Sequence, residues 1–459
     1  MTQFYLHSRI KTTLPTDLET VATYDDTSQL LSLIHQVNAP VTAVRAQALY
    51  TYDAAGNRLT LTDLTGPHAF AYDALNRLTD ATHPALPPEF FTYDKVGNRV
   101  TSHLSPLHTH DAANRLLEDA TFTYTYDAAG NRATRTEKST GAVTTYTYDG
   151  EHQLSGVTTP TLTATYRADG LGRRIEKIVN GVSTRFIYDQ EDLLFEFDGT
   201  NTLTARWLHG PGIDEPLMLE RDLNNNGVFD VSEQFFYHAD GLGSILALTN
   251  TAGVVVESYR YDAFGQPTIL APDGSTRTCS AVGNPFLFTG REYDCESGLY
   301  FSRARTYDPR TGTFLQEDPV FSLNRYPYAE NNPVNFVDPF GETAIAPSSP
   351  LLILLLLLLA ATIAVTSPSI CPLPSLDLIR RPVIHAASGE EGRNPAQDKK
   401  LSPGEIKKLK GAEIDPEVLK ESGPGGKGDL YKDKKGNVYV KPKGGVGPGE
   451  PTGININRL

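Results

Sequence analysis

The chain has 459 residues, with 41 Lys and Arg against 55 Asp and Glu and a net charge of −14, a length that implies more than one domain. Residues 399–459 hold 13 Lys and Arg against 8 Asp and Glu, a surplus of +5, so the residues before them carry −19. Three cysteines, Cys279, Cys295 and Cys371, exclude a fully paired set within one chain and lack metal-ligand spacing; Cys279 and Cys295 could pair in an oxidising compartment, but free buried thiols are the expectation.

The first residues, Met1–Ile10, lack the charged start, apolar stretch and small-residue site of a secretory signal. From Tyr52 one phrase keeps returning. Tyr52-Asp53-Ala54-Ala55-Gly56-Asn57-Arg58 comes back from Tyr72, from Tyr93 and from Tyr126, with weaker copies from His110, Tyr148, Tyr166 and Tyr188. The roughly 20-residue period signals stacked supersecondary units. Before each copy Thr alternates with Tyr or Phe, as in Thr121–Tyr126, which is a strand pattern. Asp, Gly and Asn then supply a turn, and Arg opens the return strand. Each unit therefore reads as a β-hairpin that buries its Tyr side chains against neighbouring units. The 22 Tyr against a single Trp fit a Tyr ladder better than a mixed core. Chemistry is expected outside these repeats.

Inside the β region, Asp222-Leu223-Asn224-Asn225-Asn226-Gly227-Val228-Phe229-Asp230-Val231-Ser232-Glu233 fits the twelve-residue calcium loop position by position. Asp222, Asn224, Asn226, the Val228 carbonyl, Asp230 and Glu233 are the candidate ligands, and calcium would be structural. The flanks read as strands. The alternative is an Asn-Gly-rich hairpin loop that holds no ion.

The repeats resemble the YD-repeat of the Rhs (rearrangement hotspot) proteins, relatives of the teneurins and of insecticidal toxin-complex shells. The resemblance continues through Tyr237–Ser244, Tyr259–Gly265, Phe288–Asp294, Gly298–Phe301, Tyr307–Phe314 and Asp338–Gly341, and so covers residues 50–341. It implies a mainly β fold, a partial hairpin spiral over residues 50–284 and an Rhs-associated core over 285–341, with 1–49 as an N-terminal segment. Full-length Rhs shells have many more hairpins, so this chain reads as a fragment, a displaced C-terminal cassette or a partial shell completed by another chain.

Rhs-type cores are similar to aspartyl proteases that cut their own chain after a DPxG phrase. The resemblance implies Asp318 and Asp338 as the carboxylate pair that activates a water, with the cut after Gly341. Two departures weigh against the cut: Asp318-Pro319 continues Val320-Phe321-Ser322, and Glu342 stands where the family usually has Leu. The alternative is that each Asp-Pro merely marks a turn.

Past Gly341 lies a linker, residues 342–395, with an apolar segment over 351–365. As a helix its 15 residues span roughly 22 Å against a ~30 Å hydrocarbon core. Membrane insertion is the expectation, and a marginal span or a helix buried in the shell are the alternatives. Arg380 and Arg381 follow it on the C-terminal side, which would favour that side as cytoplasmic. Pro368, Pro372 and Pro374 prevent a longer helix.

Residues 396–459 read as a small α+β domain. Ser402 is the N-cap of a helix with Pro403 at its first position and Glu405 completing a capping box. A second short helix starts near Asp415. Residues 429–441 read as a hairpin, Gly444–Gly453 as a Gly/Pro loop. This cassette resembles polymorphic toxin type 33, a domain grouped with RNA-cleaving toxins. It contains no His, which excludes an HNH or His-pair ribonuclease, and no Cys or dense carboxylate cluster, which argues against a two-metal nuclease. The remaining candidates are Asp429 as base, with Lys427, Lys441 and Lys443 stabilising phosphate charge. For each Lys the alternative is a solvated hairpin face.

The sequence therefore reads as an Rhs-type polymorphic toxin: a β shell carrying an effector against RNA in neighbouring cells, secreted or delivered, with a cognate immunity protein as partner. A secretion apparatus or other shell chains are further expected partners, and a membrane is another through 351–365. The alternative is a cell-surface YD-repeat scaffold or adhesion protein without enzymatic activity.

Overall fold

The computed structural model describes residues 2–6, 9–13, 18–38, 42–84, 86–320, 322–346, 399–402, 406–407, 428–432, 437–442 and 450–455. The chain divides into two compact units, residues 1–362 and 363–459.

In the first unit the strands pair antiparallel with their neighbours in sequence, without a crossover. One sheet has 10 strands, from Thr2–Leu6 to Arg99–Ser102; the next has 17, from Thr109–His110 to Thr276–Arg277; a third has 4, from Glu292–Asp294 to Thr313–Phe314. The repeated Asp makes the turn. Asp53 Oδ1 accepts the N–H of Ala55 and of Asn57, both at 2.8 Å, and Asp94 and Asp127 repeat this on Val96 and Asn98 and on Ala129 and Asn131. The fourth turn position takes positive φ, +88° at Gly56 and +60° at Asn76, which is why Gly or Asn recurs there.

The repeated Tyr ties one unit to the last. Tyr72 donates to the Arg58 carbonyl at 2.6 Å, Tyr93 to that of Leu78 at 2.8 Å, and Tyr148 to that of Arg132 at 2.8 Å. Two details differ from the sequence expectation. The hairpin pattern begins before residue 50: Leu18–Tyr24 and Leu30–Val37 belong to the first sheet, and Asp25 makes the same turn with Thr27 and Gln29. At Tyr188 the repeat is lost. Asp189 pairs with Asp192 in a tight hairpin, and Tyr188 donates to Glu292 instead.

The segment from Asn284 to Ile345 packs across the repeat turns. Asn335 Oδ1 accepts the Arg58 N–H at 2.8 Å, the Leu315 carbonyl accepts that of Arg132 at 2.8 Å, and Tyr326 donates to the Gly130 carbonyl at 2.8 Å. Two buried ion pairs reinforce it, Arg132–Asp308 at 2.6 Å and Arg174–Glu292 at 2.7 Å. Between them lies an aromatic cluster in which Tyr307 and Tyr328 have ring centroids 4.4 Å apart.

The expectation of free thiols is corrected: Cys279 and Cys295 form a disulfide, with Cα atoms 5.4 Å apart. Each cysteine follows the end of a short strand, Thr276–Arg277 and Glu292–Asp294, and the bridge between Phe286 and Glu292 folds the connection back so that the two meet.

In the second unit, Lys399–Lys400, Gly428–Lys432, Asn437–Pro442 and Glu450–Asn455 form a sheet in that order. The hairpin expected from the sequence is present, with Asp429 opposite Lys441 and Tyr431 opposite Tyr439. The Gly/Pro loop is shorter than expected, because Glu450–Asn455 is a strand against Asn437–Pro442. The Ser402 carbonyl accepts the Ile406 N–H at 3.0 Å, as the N-cap reading requires. The apolar segment 351–365, the second helix near Asp415, and Lys427 and Lys443 lie outside the described residues. No helix among the described residues is long and apolar enough to cross a membrane.

Candidate functional site

The structure brings Asp318 and Asp338 together on one guanidinium. Arg305 Nη2 lies 2.8 Å from Asp318 Oδ2 and 3.1 Å from Asp338 Oδ2. Arg305 comes from the strand Arg305–Asp308, and its guanidinium lies 3.7 Å from the Phe314 ring centroid. Arg305 and Asp338 are buried, Asp318 nearly so.

The Gly341–Glu342 peptide bond sits in the same cluster. Val337 and Ile345 exchange two backbone hydrogen bonds, at 2.9 and 2.7 Å, and close the loop that presents it. Arg305 Nε donates to the Gly341 carbonyl oxygen. Asp338 Oδ1 accepts the Glu342 N–H at 2.9 Å and that of Thr343 at 3.0 Å. Gly341 has φ +69°, and a Cβ there would collide with the Ser302 carbonyl oxygen, so the position requires glycine.

Burial pushes the Asp318 carboxyl up, helped by the Asp338 charge and opposed by Arg305. Burial likewise raises Glu342, whose carboxyl feels both aspartates. Asp318 is thus suited to hold a proton, and Arg305 is placed to polarise the Gly341 carbonyl. A cavity of about 1120 Å³, lined in part by Asp318, Phe340 and Glu342, gives solvent access. Sequence reasoning missed Arg305. It lies in a four-residue strand, Arg305–Asp308, that is buried throughout.

The loop at residues 222–233 joins strands Pro216–Arg221 and Gln234–Ala239, as expected. Asp222 accepts the N–H of Asn226 at 3.0 Å and of Gly227 at 2.7 Å; Asn224 Oδ1 accepts that of Asn226 at 3.0 Å and Asn226 Oδ1 that of Val228 at 2.7 Å. Glu233 accepts the N–H of Leu223 at 3.0 Å and of Asp230 at 3.3 Å. These bonds account for the loop's shape through its own side chains.

In the second unit Asp429 Oδ2 lies 2.7 Å from Lys400 Nζ. Lys400 belongs to the short strand Lys399–Lys400, which pairs with the hairpin, and the hydrogen bond to Asp429 raises its pKa. Lys400 was not anticipated, because nothing in the sequence announces a strand there. Lys441 is the cross-strand partner of Asp429.

Residues 394–457 match the Bacterial toxin 33 family, and residues 66–337 match the Teneurin YD-shell family. Among known proteins, the chain is 34% identical over 305 residues to tRNA nuclease WapA of Bacillus subtilis, covering 64% of this chain and 11% of that protein. It is 28% identical over 321 residues to double-stranded DNA deaminase toxin A of Burkholderia cenocepacia, covering 64% and 22%. It is 29% identical over 334 residues to toxin protein Tse5 of Pseudomonas aeruginosa, covering 64% and 24%. The chain thus spans between a tenth and a quarter of the length of these relatives. Among solved structures, that of TcdB2–TccC3–Cdc42 shares the fold with a TM-score of 0.58 at 19% identity, covering 74% of this chain and 19% of that one. With its YD turns, its linear hairpin sheet and a match that covers more than half of its length, the chain belongs to the Teneurin YD-shell family.

Proposed function

We propose that this chain is part of a delivered toxin, in which the YD shell carries residues 394–457 as an RNA-cleaving effector and frees it by cutting the Gly341–Glu342 bond. The observation that carries the reading is the position of the toxin-33 match, which follows, across the linker, a shell segment that ends in Asp338-Pro339-Phe340-Gly341.

In this reading Asp338 takes a proton from a water that attacks the Gly341 carbonyl carbon, Arg305 stabilises the oxyanion, and Asp318 gives the proton it holds to the Glu342 nitrogen as the C–N bond breaks. In the effector Asp429 takes a proton from the attacking hydroxyl, and Lys400, Lys427, Lys441 and Lys443 offset the charge that develops on phosphate. RNA is the substrate class because the effector's surplus is positive and WapA, a similar protein, is a tRNA nuclease. A cognate immunity protein is the partner that the producing cell needs.

The test is expression of the full chain, of an Asp429→Ala, Lys441→Ala variant and of an Asp338→Asn variant in a bacterial cell. Growth, total RNA and chain mass are followed. The expected result is growth arrest with RNA fragmentation, lost in the first variant, and a chain divided after Gly341, left whole in Asp338→Asn. A folded, whole chain with no effect on growth would instead support the cell-surface scaffold.

A further inference from the structure

The first sheet and the long second sheet meet at Phe91 and Phe264, whose ring centroids lie 5.0 Å apart. Beside this contact lies a set of buried and half-buried polar groups outside the cleavage site. Glu89 opens the strand Glu89–Tyr93 with its side chain 2% exposed. One oxygen, Oε1, is engaged by His83 Nε2 at 2.7 Å and by the Ala263 N–H at 2.8 Å. The other, Oε2, is buried with no hydrogen-bond partner. His103 follows the neighbouring strand Arg99–Ser102; its Nδ1 is likewise buried without a partner and lies 4.0 Å from Glu89 Oε2.

The third member, Asp262, reaches the same point from 159 residues further along the chain than His103. It is the turn Asp of Tyr261-Asp262-Ala263-Phe264-Gly265, and its Oδ1 accepts the N–H of Phe264 at 3.0 Å and of Gln266 at 2.8 Å. Its Oδ2 is not used by the turn. One ligand atom from each of Glu89, His103 and Asp262 lies within 4.8 Å of the other two.

A buried carboxylate oxygen without a partner is costly, and buried charges in proteins are paired or coordinate a metal. Here the unpartnered oxygen faces an unpartnered ring nitrogen and a second carboxylate. Arg99 is the nearby cation, but its guanidinium is stacked 4.7 Å from the Phe91 centroid and 4.1 Å from that of Phe264, and it forms no ion pair with Glu89 or Asp262 among the described residues. One imidazole and two carboxylates suit a borderline divalent cation of the zinc class, whereas calcium and magnesium favour oxygen donors alone. Ligands ~2.1 Å from a tetrahedral ion stand ~3.4 Å apart, so the 4.0 Å pair closes with a small rotation of either side chain.

The surroundings have the form of a second coordination layer. His83 holds Glu89 Oε1, His68 Nδ1 meets His83 Nδ1 at 2.7 Å, and Asp63 Oδ2 lies 3.2 Å from His68 Nε2. This chain fixes the carboxylate's orientation, as outer partners do for metal ligands. A cavity of about 80 Å³ lined by His68, His83 and Asp262 adjoins this outer layer.

We propose that Glu89, His103 and Asp262 form a site for a zinc-class divalent cation that fastens the first sheet to the Asp262 turn of the second. The test is titration of the full chain, freed of metal by a chelator, with zinc chloride by calorimetry and with cobalt chloride by visible absorption. The expected result is one ion per chain, cobalt bands that report a nitrogen and oxygen site, and a higher melting temperature with zinc. His103→Gln and Asp262→Asn, chosen because each keeps its shape, are each expected to weaken zinc at least tenfold. Their melting temperatures in chelator would match that of the metal-free parent chain. No stoichiometric zinc, or zinc that binds these folded variants as tightly as the parent, would overturn the proposal.

Discussion

Removing the Asp308 carboxylate should cost the shell far more than removing an exposed one. Arg132 and Asp308 have side chains 1% and 2% exposed and are joined at 2.6 Å. Arg132 otherwise reaches Thr311 Oγ1 at 3.4 Å and Thr313 Oγ1 at 3.3 Å, both neutral. Burial works to raise Asp308, yet Arg132, with Arg135 and Arg310, holds it below the ordinary carboxylate range. Asp308→Ala therefore strands a buried guanidinium, which costs about 3–5 kcal/mol. Over a shell of about 340 residues, with ~2.1 cal/mol/K of unfolding entropy per residue, 4 kcal/mol corresponds to about 6 °C in melting temperature. The control is Glu118→Ala, whose pairing with Lys138 is half exposed and is worth less than about 1 kcal/mol. Thermal unfolding followed by circular dichroism reads both. Arg132→Met combined with Asp308→Ala should recover much of the loss, since removing both partners leaves no buried charge. A melting temperature for Asp308→Ala within about 1 °C of the Glu118→Ala control would refute the reasoning.

Three other outcomes are expected. Reduction of Cys279–Cys295, or Cys279→Ser with Cys295→Ser, should cost about 3 kcal/mol for a closed loop of 16 residues, read as a shift in denaturant midpoint between oxidised and reduced chain. Tyr72→Phe removes the bond to the Arg58 carbonyl and the acceptor for Asn335 Nδ2, and should cost about 1–2 kcal/mol with faster amide exchange around residues 58 and 72. Burial works to raise Asp119, but Arg310 and Tyr124 hold it at about 2, below the ordinary value of 3.8. Its contribution is therefore present above the ordinary value and fades as pH falls toward 2. Arg310→Ala should move acid unfolding to higher pH, measured by fluorescence against pH.

The repeat was legible because its whole mechanism is local. Asp, a positive-φ residue and the next two N–H groups lie within five residues, so the phrase at Tyr52 specifies its own turn. The same logic failed at Tyr188, where Asp192 and Leu193 stand three and four residues after Asp189 in place of the Gly-Asn that the wider turn needs. At the cleavage site the sequence offered Asp318 and Asp338 through a family resemblance. It could not offer Arg305, because the need for a cation between two carboxylates arises only when a strand residue meets loop residues 13 and 33 positions further on. The disulfide was hidden for a similar reason: the bridge between Phe286 and Glu292 decides that Cys279 and Cys295 meet. Lys400 was hidden because a two-residue strand has no periodicity to detect.

The pairing of each strand with its immediate neighbour has a kinetic consequence. A hairpin whose partner is the next few residues closes a short loop at low entropic cost, so each can form as soon as its own stretch is released. The sheets can therefore grow from the N-terminus in step with synthesis, or with emergence of an unfolded chain from a narrow passage. The contacts that span the chain come last. Asn335 reaches back to Arg58 and Asp308 to Arg132, and both lie C-terminal to the hairpins they fasten. Until that segment arrives, Arg132 and Arg174 lack their counter-charges and stay hydrated, and completing the chain is what allows them to be buried.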